Sequence, residues 1–96
     1  MGEDWVDLGS AEALARRPLQ RVKAGDVPIA LSCIDGAFAA VHGACNHVGG
    51  PLGEGALEGD YIVCPWHHWK FHRQTGIGEG GFETDRIPAY PVKVEN

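Results

Sequence analysis

Two mixed cysteine–histidine pairs, Cys45-Asn46-His47 and Cys64-Pro65-Trp66-His67, constrain this chain more than any other feature of it. Sixteen residues, Val48 to Val63, separate the pairs. For the four side chains to act together, two loops must bring their tips to one place. The stretch between and around them holds Gly49, Gly50, Gly53 and Gly55. Glycine turns tightly and lets a backbone approach another group closely, so these positions are expected to bend the loops around whatever the pairs hold.

The rest of the chain supplies short strands. Val27 to Ile34 and Ala37 to His42 are apolar runs on either side of Asp35-Gly36, a type I′ hairpin signal. Leu19 to Ala24 alternates weakly and ends at Gly25-Asp26. Tyr61-Ile62-Val63-Cys64-Pro65 follows another turn pair, Gly59-Asp60. Trp5 to Leu8 reads as an opening strand and Tyr90 to Val94 as a closing one. The one helix-like piece starts at Ser10, which can cap it, and stops at Pro18. Short strands and frequent turns predict an all-β fold, an antiparallel sandwich or barrel. A loop-built subdomain, about residues 43–81, is inserted between base strands at about 1–42 and 82–96.

At 96 residues the chain fits one domain with a small core, the kind that often needs a metal, disulfide or partner as a staple. Its formal net charge is −5 and its eight basic residues are scattered. That argues against nucleic acid and anionic membranes as partners, and suits a basic docking patch on another protein. No apolar run reaches the ~18 residues of a membrane span, and the acidic start MGEDWVDLGS has no export-signal pattern. A cytoplasmic location is expected. Three cysteines, Cys33, Cys45 and Cys64, do not make a disulfide framework. In a reducing compartment, cysteine beside histidine points to metal binding or catalysis.

Four such ligands suit zinc or iron–sulfur chemistry. Zinc fingers usually take two cysteines and then two histidines, whereas each pair here is mixed. If each loop gives its cysteine to one iron and its histidine to another, both loops grip both metals. One iron then has two thiolates and the other two imidazoles, as in a Rieske centre. Cys45, His47, Cys64 and His67 are the expected ligands, with a Cys2His2 zinc site as the competing reading.

At these residues the chain resembles the Rieske [2Fe–2S] proteins. The likeness extends to Gly50-Pro51-Leu52 after the first pair, to Trp69-Lys70-Phe71 and Thr75-Gly76 after the second, and to Tyr90-Pro91-Val92. It implies one [2Fe–2S] cluster per chain, with backbone N–H donors from the loop glycines to its sulfurs. High-potential members of the family resemble Cys-x-His-x-Gly-Cys with Cys-Pro-Cys-His-Gly-Ser-x-Tyr. Their inter-loop disulfide falls here on Gly50 and Trp66, and their hydroxyl donors on Trp69 and Phe71. Without those devices the reduced cluster is less stabilised, so the potential is expected near the low end of the roughly −150 to +300 mV Rieske range. The extra negative charge of the reduced cluster should also make the ligand imidazoles harder to deprotonate, so the potential should fall with pH on the alkaline side.

The chain departs from the family pattern at His68, where glycine commonly follows the second histidine ligand. His42 and His72 read as strand or surface histidines, Cys33 as an inert buried thiol, and Trp66 and Trp69 as walls that limit water at the cluster. No nucleotide fingerprint, Ser-His-Asp set or carboxylate pair stands out. The chain is therefore expected to be no enzyme but a monomeric one-electron carrier. Its resemblance implies a flavin-dependent NAD(P)H reductase as donor and a terminal oxygenase as acceptor. The alternative is a fixed small subunit of a larger redox enzyme such as nitrite reductase.

Overall fold

The structure, a computed structural model, describes residues 5–44, 51–66, 69–78 and 86–94. In chain order the elements are a short helix α1 (Ala11–Leu14), strands β1 (Leu19–Ala24), β2 (Val27–Ile34) and β3 (Ala37–His42), a 3-10 turn (Leu52–Glu54), and strands β4 (Ala56–Glu58), β5 (Tyr61–Val63), β6 (Lys70–His72) and β7 (Ala89–Tyr90). They form two antiparallel sheets, one ordered β1-β2-β3-β7 and one ordered β4-β5-β6. The fold is all-β, as expected.

Asp35-Gly36 fixes the base sheet. Both residues have positive φ, 52° and 81°, the geometry of a type I′ turn, whose twist matches that of the strands it joins. The register follows from it, running from Ile34↔Ala37 to Ile29↔His42. Because side chains alternate along a strand, the sheet has two apolar faces. Ala30 and Val41 point to the small sheet and join Leu52, Ile62, Cys64, Phe71 and Ile87 in one buried cluster. Ile29, Leu31 and Ala40 point the other way, against Leu8, Leu14, Val22, Phe38 and Tyr90.

Three expectations need correction. Trp5–Leu8 is not a strand, and the closing strand covers only Ala89–Tyr90. Pro91 has no N–H to extend a ladder, and at the other end the Gly9 N–H turns back onto the Asp7 carboxylate at 2.8 Å. The two segments still meet, with the Lys93 ammonium 4.3 Å from the Trp5 ring centre. The helix does start on Ser10, whose Oγ accepts from the Ala13 N–H at 3.3 Å, but it ends at Leu14 rather than at Pro18. The Leu14 carbonyl accepts from Gln20 Nε2 at 2.7 Å, and the Pro18 carbonyl already accepts the Cys33 N–H at 2.9 Å. Finally, the segment after Gly43 is not loop alone but contains the β4-β5-β6 sheet, whose strands are three residues each. Three residues are too few to show a period of two in sequence.

Candidate metal centre

Each loop that carries a Cys–His pair has a closed neck. The first leaves β3 through Gly43 and Ala44. Ala44 and Pro51 form an antiparallel bridge, and the Leu52 N–H donates to the Gly43 carbonyl at 2.9 Å. The second leaves β5 at Cys64, whose N–H donates to the Trp69 carbonyl at 2.7 Å. Leu52 and Cys64 lie in the same fully buried cluster, so the two necks stand side by side on one core.

Two of the loop glycines have a different task from the one expected. At Gly53 a Cβ would collide with Arg21 of β1, and at Gly55 with the carbonyl oxygen of Val63. The Gly55 N–H is taken by the Leu52 carbonyl at 3.0 Å, which leaves no proton for a cluster sulfur. These glycines seat the first neck against β1 and the second neck. Gly49 and Gly50 lie outside the described residues.

Of the four expected ligands the structure describes Cys64, while Cys45, His47 and His67 lie outside the described residues, as does His68. Cys64 is a free thiol with no solvent exposure. Thiolate is the ligand form of cysteine, and a buried anion is costly unless a cation compensates it. A buried thiol at the mouth of a closed loop therefore fits a metal held under that loop. Among the described residues no three His, Cys, Asp or Glu side chains converge on a second metal site.

The neighbours of Cys64 sort themselves by exposure. Phe71, at the position where high-potential members carry a hydroxyl, is fully buried apolar core. Trp66 is 58% exposed and Trp69 36% exposed. Cys33 is a buried free thiol. His42 ends β3, and its Nδ1 is buried with no hydrogen-bond partner among the described residues. His72 stands in β6 edge-on to Tyr61, ring centres 5.3 Å apart, and its Nδ1 accepts the Gln74 N–H at 3.1 Å.

Comparison with known proteins decides the family. The model of the Rieske [2Fe–2S] domain matches residues 4–91. The chain belongs to the Rieske family. A ferredoxin component of naphthalene 1,2-dioxygenase/salicylate 5-hydroxylase systems from a Ralstonia species is 32% identical, across 100% of this chain and 92% of that protein. Among solved structures, a chain of the complex of reduced oxygenase and oxidized ferredoxin in carbazole 1,9a-dioxygenase superposes with a TM-score of 0.72 at 32% identity, covering 80% of each chain. Sphingomonas yanoikuyae B1 ferredoxin superposes with a TM-score of 0.73 at 26% identity, over 82% of this chain and 78% of that one. As a Rieske domain the chain carries one [2Fe–2S] cluster, which when bound takes up and releases single electrons.

Arg73 is a buried residue that the sequence reading passed over. It directly follows β6 and is 3% exposed. Only its spacing, two residues after the core residue Phe71, signalled that it faces inward.

Proposed function

We propose that this Rieske protein is a one-electron carrier, ligating its cluster through Cys45, His47, Cys64 and His67, that receives electrons from a flavin-dependent NAD(P)H reductase and delivers them to a terminal oxygenase. The observation that carries the ligand set is the buried free thiol of Cys64 at the neck of the second loop, packed in one cluster with Leu52 at the neck of the first. The chain's part is to hold the cluster between two necks pinned to one core, so that the irons do not shift as charge is added.

The domain extends over residues 1–96, with the cluster-binding part at about 43–81. It works as a cytoplasmic monomer; no helix among the described residues is long and apolar enough to cross a membrane. The exposed ring of Trp66 lies two positions from Cys64 and supplies an apolar contact for the acceptor next to the metal. Exposed tryptophans rank high among interface anchors.

Anaerobic reconstitution tests the reading. The purified protein should be reddish-brown, hold two irons and two acid-labile sulfides, and show a low-g EPR signal on reduction. A colourless, zinc-loaded protein would refute it. Size-exclusion chromatography separates a free carrier from a subunit that stays with a catalytic chain. A midpoint potential above about +100 mV would overturn the low-potential assignment.

A further inference from the structure

Among the described residues Arg73 is a charge buried without a counter-charge. Its Nε donates to Ser32 Oγ at 2.8 Å and its Nη2 to the Ala37 carbonyl at 2.5 Å. Ser32 is itself fully buried, and its hydroxyl lies 3.3 Å from the Ala39 carbonyl. Among the described residues both partners of the guanidinium, the Ser32 hydroxyl and the Ala37 carbonyl, are neutral, and no carboxylate pairs with it. A guanidinium stays protonated in proteins, and dipoles that satisfy its N–H groups do not cancel its net charge.

The strand ladder connects this charge to the metal centre. At one end of the β5–β6 hairpin the Cys64 N–H bonds the Trp69 carbonyl; at the other, the Arg73 N–H bonds the Asp60 carbonyl at 2.8 Å. Side chains alternate across the hairpin, and Ile62, Cys64, Phe71 and Arg73 are all buried, so they share its inner face. Cys64 lies four positions after Asp60, which at strand rise is about 14 Å along the backbone. What fills that space is apolar: Ile62 and Phe71, with Ala30 and Val41 of the base sheet behind them. A field crossing such a layer is screened far less than one crossing water.

We infer that Arg73 is an electrostatic tuning residue of the cluster, a fixed positive charge on the inner face of the hairpin that holds Cys64, which favours the reduced state. The inference rests on the proposed ligand role of Cys64. On reduction one electron adds a unit of negative charge with no bond made or broken, so a positive charge nearby stabilises the product over the reactant. Taking that backbone span of ~14 Å as the scale of the separation, with an effective dielectric between about 20 and 40, removing the charge should lower the reduced-to-oxidised ratio at a fixed ambient potential by up to roughly three- to eight-fold.

Three variants separate this charge effect from a packing role: Arg73→Gln, the double variant Arg73→Met/Ser32→Ala, and Arg73→Lys. Each is reconstituted, assayed for iron and sulfide, and titrated spectroelectrochemically beside the wild type. The expected result is a lower potential in both neutral variants and a near wild-type potential in Arg73→Lys, even where Arg73→Lys melts at lower temperature. Cluster-loaded neutral variants with the wild-type potential would overturn the inference. So would loss of the cluster from both neutral variants, which would make Arg73 a folding clamp only. A wild-type protein that binds no [2Fe–2S] cluster would instead refute the proposed ligand set.

Discussion

The two sheets of this protein are built on different terms. The base sheet has strands of six, eight and six residues in β1, β2 and β3, closed by tight turns and packed on both faces. The small sheet has three strands of three residues each. Strands that short lie at the lower limit found in globular proteins. What holds them is tertiary: Phe71 and Ile62 in the shared core, Arg73 reaching across to Ser32 and Ala37, and the two loop necks. The base sheet can stand largely on its own hairpins, while the small sheet depends on what it grips.

Removing the cluster should therefore break the symmetry of stability most. Metal binding at a site that the unfolded chain lacks contributes directly to folding. In a cluster-free Cys64→Ser variant, amide hydrogens of Tyr61–Val63 and Lys70–His72 should exchange at least roughly ten times faster than in the holo protein. Those of β2 and β3 should keep most of their protection. Equal loss across both sheets would show that they fold as one unit.

Core truncation comes next. Phe71 is fully buried between the sheets, and Phe→Ala in such a position costs about 3–5 kcal/mol. Phe71→Ala should lower the denaturant midpoint of the holo protein and slow cluster uptake. A cost below about 1 kcal/mol would mean that the small sheet contributes little to global stability.

The same contrast decides what could be read in the sequence. β1, β2 and β3 were legible with their boundaries because Asp35-Gly36 and Gly25-Asp26 are explicit turn signals and the runs beside them are long. β4 and β6 were not, because Ala56-Leu57-Glu58 and Lys70-Phe71-His72 are too short for any periodicity. That the chain carries a [2Fe–2S] cluster was legible in residue types and spacing, since ligand chemistry is local. Its support was not. That Gly55 seats against Val63, and that Arg73 crosses to Ser32, are facts of packing between segments up to 41 positions apart.

Gly55→Ala sharpens the comparison at the point where the first neck meets the second. The added methyl would overlap the Val63 carbonyl oxygen, and backbone yields less readily than a flexible side chain. The expected cost is about 1–3 kcal/mol. The loss should show both as a lower melting temperature and as incomplete cluster loading, because Val63 immediately precedes Cys64. Full loading with unchanged melting would mean that the necks can slide apart without consequence.

The smallest effects belong to the surface ion pairs, and they too divide by region. Lys70 Nζ lies 2.6 Å from Glu58 Oε1, joining the outer strands of the small sheet across β5, whereas Arg21 Nη1 lies 2.5 Å from Glu54 Oε2 and ties the base sheet to the first neck. Arg21, Glu54 and Glu58 are open to solvent and Lys70 is partly so, so each pair is worth less than about 1 kcal/mol and is weakened by salt. Glu58→Gln and Glu54→Gln should each lower the melting temperature slightly in dilute buffer, with the difference from wild type vanishing at high salt. The Arg21 stem also packs where Gly53 approaches β1, a contact that salt does not screen. Arg21→Ala should therefore retain a deficit at high salt that Glu54→Gln lacks. If the two variants converge there, the first neck is held to the base sheet by charge and not by packing.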